Sequence, residues 1–171
     1  MRDAGAITFR RLTMADLPMF IEWRGRPHVM EWWPNERARD IEAEYAELTA
    51  PGSTTIPYVA LREGEPVGYI QSYVAAGSGE GWWPDVTDPG VRGIDQFLAH
   101  AGHLNQGMGT AMVRGFVETL FADPAVTRVQ VDPAPDNARA IRCYEKAGFR
   151  AHGLIETPDG KALIMYWDRG A

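Results

Sequence analysis

The sequence predicts a mixed α/β or α+β domain, and three observations predict it. Alternating apolar runs pair off as hairpins early and late in the chain. A β-α-β crossover occupies the second half. Two closely spaced glycines stand directly before an amphipathic helix. The predicted order is β, α, α, β, β, β, α, β, α, β, β, which is one mixed layer of strands with helices packed on it.

Taken in order, ITFRRL (7–12) alternates apolar and polar residues, the period of a strand. Thr13 offers an N-cap with Asp16 three residues on, so a helix should run through LPMFIEWR (17–24). In 38–50, Ile41, Tyr45 and Leu48 recur at helical spacing until PGSTT (51–55) breaks the pattern. Residues 56–75 read as two strands around the turn EGEP (63–66). The stretch AGSGEGWWPDVTDPG (76–90) is rich in glycine and proline among aromatic and acidic residues, a long irregular loop of the sort that often carries function. Residues 91–102 follow as a strand. A helix over 109–121 puts Met112, Val113, Phe116, Val117, Leu120 and Phe121 on one face. TRVQVD (127–132) alternates as a strand. The helix in 136–149 starts at Asp136-Asn137 and stops at Gly148. AHGLIET (151–157) and ALIMYWD (162–168) close as a hairpin around PDGK.

A length of 171 residues suits one domain spanning 1–171, with 45% apolar and 23% charged residues. No apolar run approaches the ~18 residues of a membrane span, and the first residues carry no apolar leader segment. Cys143, the single cysteine, excludes an internal disulfide and fits a reducing, cytoplasmic setting. The net charge is −6, without a basic cluster to grip phosphate backbones, so nucleic acid is not an expected partner. Acidity of this size serves solubility, and where it serves a site it favours a cationic ligand. His28, His100, His103 and His152 lack metal-ligand spacing, and no metal is expected.

The stretch LNQGMGTAMVRGFVETLF (104–121) raises the question of what its glycines expose. The first amides of a helix lack intrahelical partners and sit at the positive end of its dipole. Gly107 and Gly109 let a ligand approach that backbone, and Thr110 adds a hydroxyl, which makes a phosphate cradle. No Gly-Lys-Ser/Thr follows, so this is not a P-loop. Position 112 is methionine, so it is not the dinucleotide fingerprint either. In DNARAIRCYEKAGF, Asn137 and Tyr144 are seven apart and lie nearly in line along the helix. Taken singly they read as a cap and a packed ring.

In this order and spacing the two features resemble the GNAT superfamily of acetyl-CoA-dependent N-acyltransferases, over roughly residues 7 to 168. The resemblance implies a single-domain fold with a central mixed sheet flanked by helices. It also implies that the turn Gln106, Gly107, Met108, Gly109 and Thr110 holds the coenzyme A pyrophosphate. The pantetheine arm would run beside the strand Ile94 to Ala101, against Phe97, Leu98 and Ala99. Asn137 and Ala140 would contact that arm, and Tyr144 would sit by the thioester sulfur. One departure is Leu104, where the superfamily motif has Gln or Arg.

The stretch GYIQSYVAAGSGEGWWPDVTDPGVRGIDQFLA (68–99), together with VDPAPDNARAIRCYEKAGF and TPDG, resembles aminoglycoside 6'-N-acetyltransferases of the broad type I group. That resemblance implies a polycationic aminoglycoside as acceptor, with Trp33, Gln71, Tyr73, Ser78, Glu80, Trp82, Asp95 and Asp132 at its site. Glu80 stands where familiar relatives have Asp. Carboxylates and aromatic faces are what a polycation covered in hydroxyls needs, and Trp32, Trp83, Asp85 and Asp88 lie in the same stretches. Asp85 and Asp88 read first as solvated loop charges, whereas Asp95, inside a largely apolar strand, needs a partner.

The expected chemistry is direct acetyl transfer without an acyl-enzyme. Asp95 serves as base or positions the amine, since an ordinary carboxylate pKa of ~3.9 lies far below that of an amine. Tyr144 protonates the departing thiolate, and the monomer or a weak dimer is the working unit. Two rivals remain: a GNAT enzyme acylating a lysine-derived siderophore precursor, and a non-catalytic module that senses coenzyme A.

Overall fold

The computed structural model describes residues 6–34 and 38–171. One seven-stranded sheet runs through the molecule. It comprises β1 (Ile7–Arg11), β2 (Ile56–Arg62), β3 (Glu65–Val74), β4 (Val91–Leu98), β5 (Arg128–Val131), β6 (Arg150–Thr157) and β7 (Gly160–Asp168), in the spatial order β1-β2-β3-β4-β5-β7-β6. Every neighbouring pair is antiparallel except β4 with β5. The helices are α1 (Leu17–Arg24), α2 (Pro27–Met30), α3 (Ala38–Thr49), α4 (Met108–Phe121) and α5 (Ala138–Ala147). The element order agrees with the expected one apart from α2, a single turn that opens on Pro27.

Strand alternation sends successive side chains to opposite faces, and each face has its own core. On one face Ile70, Ile94, Val129 and Val131 pack against Val113, Phe116 and Val117 of α4 and against Tyr144 of α5. On the other, Val59, Tyr69 and Phe97 pack against Phe20 and Trp23 of α1 and Ile41 and Tyr45 of α3. Tyr69 stacks on Phe97 at 5.3 Å and meets Phe20 edge-on at 5.1 Å. Such pairs add about 0.5–1.5 kcal/mol beyond area burial. At the entry to α1 the carboxylate of Asp16 accepts from Arg10 at 2.8 and 2.9 Å and from the Thr13 N–H at 2.9 Å, the expected capping contact. The Tyr45 hydroxyl donates to the Thr13 carbonyl and joins α3 to the same corner.

Two strands are shorter than the sequence patterns suggest, and that creates the site. The strand expected over 91–102 ends at Leu98, and the one expected over 127–132 covers only Arg128–Val131. β4 and β5 pair only between Val91–Gly93 and Arg128–Gln130. Beyond Gly93, β4 keeps β3 on one side through Leu98, but β5 no longer follows it on the other. The chain then leaves the sheet: the Ala99 N–H bonds to the Val67 carbonyl at 2.9 Å, and a 3-10 turn at Ala101–His103 leads to α4. The result is a wedge, open between the splayed strands.

Gly93 is needed for close approach. A Cβ there would stand 2.0 Å from the ring of Tyr73, which crosses over the glycine toward Gln130 and Trp83.

Candidate active site

A cleft of 1160 Å³ passes through the wedge, from the α1–α3 face of the sheet to the start of α4 and the length of α5. That volume is generous for one small ligand and suits two meeting end to end.

The wall on the α1–α3 face is acidic and aromatic. Asp95 on β4 sits in register opposite Gln71 on β3. Gln71 Nε2 donates to Asp95 Oδ2 at 2.9 Å, and the Tyr69 hydroxyl donates to Gln71 Oε1 at 2.6 Å. This chain sets which way the Gln71 amide points. Asp132 lies just past the end of β5, and Asp159 comes from the β6–β7 turn. Burial pushes the Asp95 carboxyl above its ordinary range, and the Asp159 charge adds to the rise against the Gln71 hydrogen bond. Burial, then the charges of Asp95 and Asp159, pushes Asp132 up to about 8. The expectation that used an ordinary carboxylate pKa for Asp95 is therefore corrected. Desolvation and like charges raise both groups, which makes each a better proton acceptor than a free carboxylate.

Among the aromatic residues, Trp33 lines this wall and meets Phe97 and Tyr69 edge-on at 5.3 and 6.0 Å. Trp82 lines it as well, from the loop 76–90. Trp83, also in the lining, is mostly buried among Ala75, Val91 and Ile164 and anchors that loop. Tyr73 lines the cleft beneath it, its phenol pushed well up by burial. Ser78 reaches the lining, with its hydroxyl donating to the Ala75 carbonyl at 2.8 Å.

The other wall is built on backbone and cations. Gly107 is the N-cap of α4 at φ +83°, and no atom lies within 4 Å of where a Cβ would stand, so conformation and not space calls for glycine. The amides that follow have no carbonyl one turn back and point out of the helix start. Gly109 serves differently: a Cβ there would meet Cys143 Sγ at 3.3 Å, so this glycine lets α4 and α5 approach closely. The Thr110 hydroxyl also faces Cys143, at 3.8 Å. Asn137 caps α5 by accepting from the Ala140 N–H at 3.2 Å, and both residues line the cleft. Tyr144 is 6% exposed, edge-on to Phe149 at 5.6 Å, and burial carries its phenol far above the usual range, opposed by a hydrogen bond to Gln96. Burial thus favours the protonated phenol, which can act as a donor. Phe97 and Leu98 line the cleft from β4.

Four expected contacts are not in the lining. Ala99 is fully buried, and its backbone is already used, the N–H by Val67 and the carbonyl by Arg26 at 2.6 Å. Met108 turns its side chain into the core with Met112, Leu98 and Val67, leaving only its amide for a ligand. Gln106 is exposed and donates to the Gly102 carbonyl at 2.7 Å. Glu80 is exposed on the loop with φ +52°. Asp88 is neither free nor part of the lining: it accepts from the Gly90 N–H at 2.7 Å and the Thr127 hydroxyl at 2.6 Å.

The sequence reading missed Asp159, Gln96, Arg24 and Glu44, and also Arg139, Arg142 and Lys146, all of which line the cleft. The three cations recur at helical spacing on α5, a signal that could have revealed them. They fit a polyphosphate: with the helix start at Gly107 they give this end of the cleft a positive potential. Among the described residues no cluster of His, Cys, Asp or Glu is arranged to hold a metal ion, and no helix is long and apolar enough to cross a membrane.

Residues 13–157 match the acetyltransferase (GNAT) domain family. The chain belongs to the GNAT acetyltransferases. This acetyltransferase is 52% identical over 170 residues to the aminoglycoside N(6')-acetyltransferase type 1 of Klebsiella pneumoniae, covering 97% of the chain and 85% of that relative. A crystal structure of the aminoglycoside acetyltransferase AAC(6')-Ib with coenzyme A and kanamycin superposes with a TM-score of 0.91 at 52% identity, covering 95% of both chains. A structure of AAC(6')-Ib with paromomycin and acetyl-CoA gives 0.92 at 51% identity, covering 96% of this chain and 94% of that one.

Proposed function

We propose that this enzyme transfers the acetyl group of acetyl-CoA to the 6'-amine of aminoglycoside antibiotics and so confers resistance to them. One observation carries the reading: a single cleft joins an acidic, tryptophan-bearing wall to a helix start flanked by Arg139, Arg142 and Lys146. Those are the recognition demands of a polycation and of a polyanionic coenzyme. Acetyl-CoA supplies an activated acyl thioester, and the protein aligns it with the amine.

In this reading the substrate ammonium is drawn to Asp95, Asp132 and Asp159. Asp95, held by Gln71, accepts the proton that the amine must lose, directly or through water. The neutral amine attacks the acyl carbon, forming C–N as C–S breaks. Backbone amides on the open side of β4 stabilise the oxyanion. The departing thiolate takes the Tyr144 proton, and the second proton, shed by the nitrogen as the amide forms, returns to Tyr144 through water. Cys143 lies against Gly109 and Thr110, and burial raises its pKa, which does not favour it as a nucleophile.

We take the working form to be one domain, a monomer or weak dimer in the cytoplasm, without nucleic acid or membrane partners. The siderophore-precursor rival has no use for Trp82 and Ser78 in the lining, and the sensor rival has none for Asp95 and Tyr144. The test is thiol release from acetyl-CoA with kanamycin, with lysine, and with an aminoglycoside bearing a hydroxyl at 6'. Release with kanamycin alone is expected. Release with lysine and not kanamycin would move the assignment to the siderophore branch. Silence with all three, despite coenzyme binding, would revive the sensor.

A further inference from the structure

On the same wall as Asp95, where α1 and α3 reach the cleft, stands an ion pair that the mechanism does not use. Arg24, the last residue of α1, donates from Nη1 to Glu44 Oε2 of α3 at 2.7 Å. The arginine side chain is 6% exposed and the glutamate 39%. The guanidinium lies over the rings of Trp33 at 5.5 Å and Phe20 at 5.7 Å. Arg24, Glu44, Trp33, Thr54 and Thr55 line the cleft together. The charges of Glu44 and Asp95 both bear on the Tyr69 phenol, which ties this end of the cleft to Gln71.

A buried arginine in the wall of a site for polycations repels the ligand unless its charge is neutralised. Glu44 does that, but its placement goes further. A carboxylate that only neutralised Arg24 would sit as deep as Arg24, whereas Glu44 is far more exposed. Arg24 engages Oε2, and among the described residues nothing donates to Oε1. A carboxylate oxygen held by an arginine on one side and open on the other is a directed acceptor, because its rotamer is already set.

We propose that Glu44, positioned by Arg24, is a specificity residue. Its Oε1 accepts from an ammonium or hydroxyl on the aminoglycoside ring remote from the reacting amine, and the Trp33 face supports that ring. The proposal rests on the aminoglycoside reading of the site. It adds an anchor from α3 to the wall that carries Asp95, and that anchor distinguishes long acceptors from short ones.

The test compares kanamycin, with three rings, and a two-ring fragment that keeps the acceptor ring and its amine. The proteins are the wild type, Glu44→Gln and Glu44→Asp. In Glu44→Gln the ratio of kcat/KM for three rings over two rings should fall about tenfold, the usual worth of one hydrogen bond to a charged group. The loss should lie in KM and not in kcat, and Glu44→Asp should fall between. An unchanged ratio overturns the proposal, whether both substrates lose equally or neither does. Equal loss would assign Glu44 to holding Arg24 and Trp33 in place. Calorimetry of both compounds without an acetyl donor separates the two levels. A wild type that binds but does not acetylate overturns the enzyme reading, and the Glu44 ratio is then read from Kd.

Discussion

The two walls of the cleft solve opposite problems with different materials. In the proposed reading the coenzyme wall meets a polyanion with helix-start amides at Gly107 and cations spaced along α5, all within 40 residues of chain. In that same proposed reading the acceptor wall meets a polycation with Asp95, Asp132, Asp159 and Glu44, which come from β4, the end of β5, the β6–β7 turn and α3. The first wall is mostly local backbone geometry. The second is side chains gathered from across the fold, and the charges of Asp95 and Asp159 oppose the ionisation of Asp132. Binding a cation relieves that opposition, so the acceptor wall stores unfavourable charge that its ligand discharges.

Substitutions on either side of the cleft can break this comparison. The largest effect should come from Asp95→Asn, which removes the proton acceptor: kcat/KM falls about 10²–10⁴-fold, with acetyl-CoA binding by calorimetry unaltered. Comparable loss of acetyl-CoA binding would mean that the walls are not separable. Tyr144→Phe comes next, with kcat lowered about 10–100-fold and KM for the aminoglycoside nearly kept. Wild-type turnover in that variant would remove the acid role from Tyr144.

Gly107→Ala probes the coenzyme wall alone. Its φ of +83° costs an L-residue roughly 1–2 kcal/mol, so KM for acetyl-CoA should rise about tenfold while KM for kanamycin holds. Equal rises in both would contradict a local cradle.

The smallest effect concerns stability. Asp132 has its folded-state pKa raised to about 8, mainly by burial, against ~3.9 when unfolded. Between those values the folded state binds the extra proton, so wild-type stability falls as pH rises through that window. Asp132→Asn escapes this. Its melting temperature without ligand should match the wild type near pH 4 and exceed it by a few degrees by about pH 8. Thermal melts across pH check this, and a less stable variant at pH 8 would mean that Asp132 is not held against its charge.

The coenzyme wall was legible because its signals are local. Gly107 before an amphipathic helix, and Asn137 and Tyr144 seven residues apart, read in one dimension almost as they fold. Even there Gly109 changed meaning, since its neighbour Cys143 is 34 residues away and the need for close α4–α5 packing is tertiary. That Ala99 lies outside the lining was not legible, because the partners of its backbone, Arg26 and Val67, are remote in the chain. On the acceptor wall Asp95 stood out as a carboxylate in an apolar strand, whereas Asp159 in an ordinary turn and Glu44 on an ordinary helix face did not.

Apart from α2, the sequence by itself determined the elements, their order and the two helix starts, because alternation, periodicity and capping act over a few residues. Where β4 and β5 part company was decided only in three dimensions. Register limits their pairing to Val91–Gly93 and Arg128–Gln130, and no local pattern records where a neighbouring strand stops. The pKa values of Asp95 and Asp132 were decided at the same level, because desolvation and like-charge repulsion depend on which distant groups the folded chain brings together.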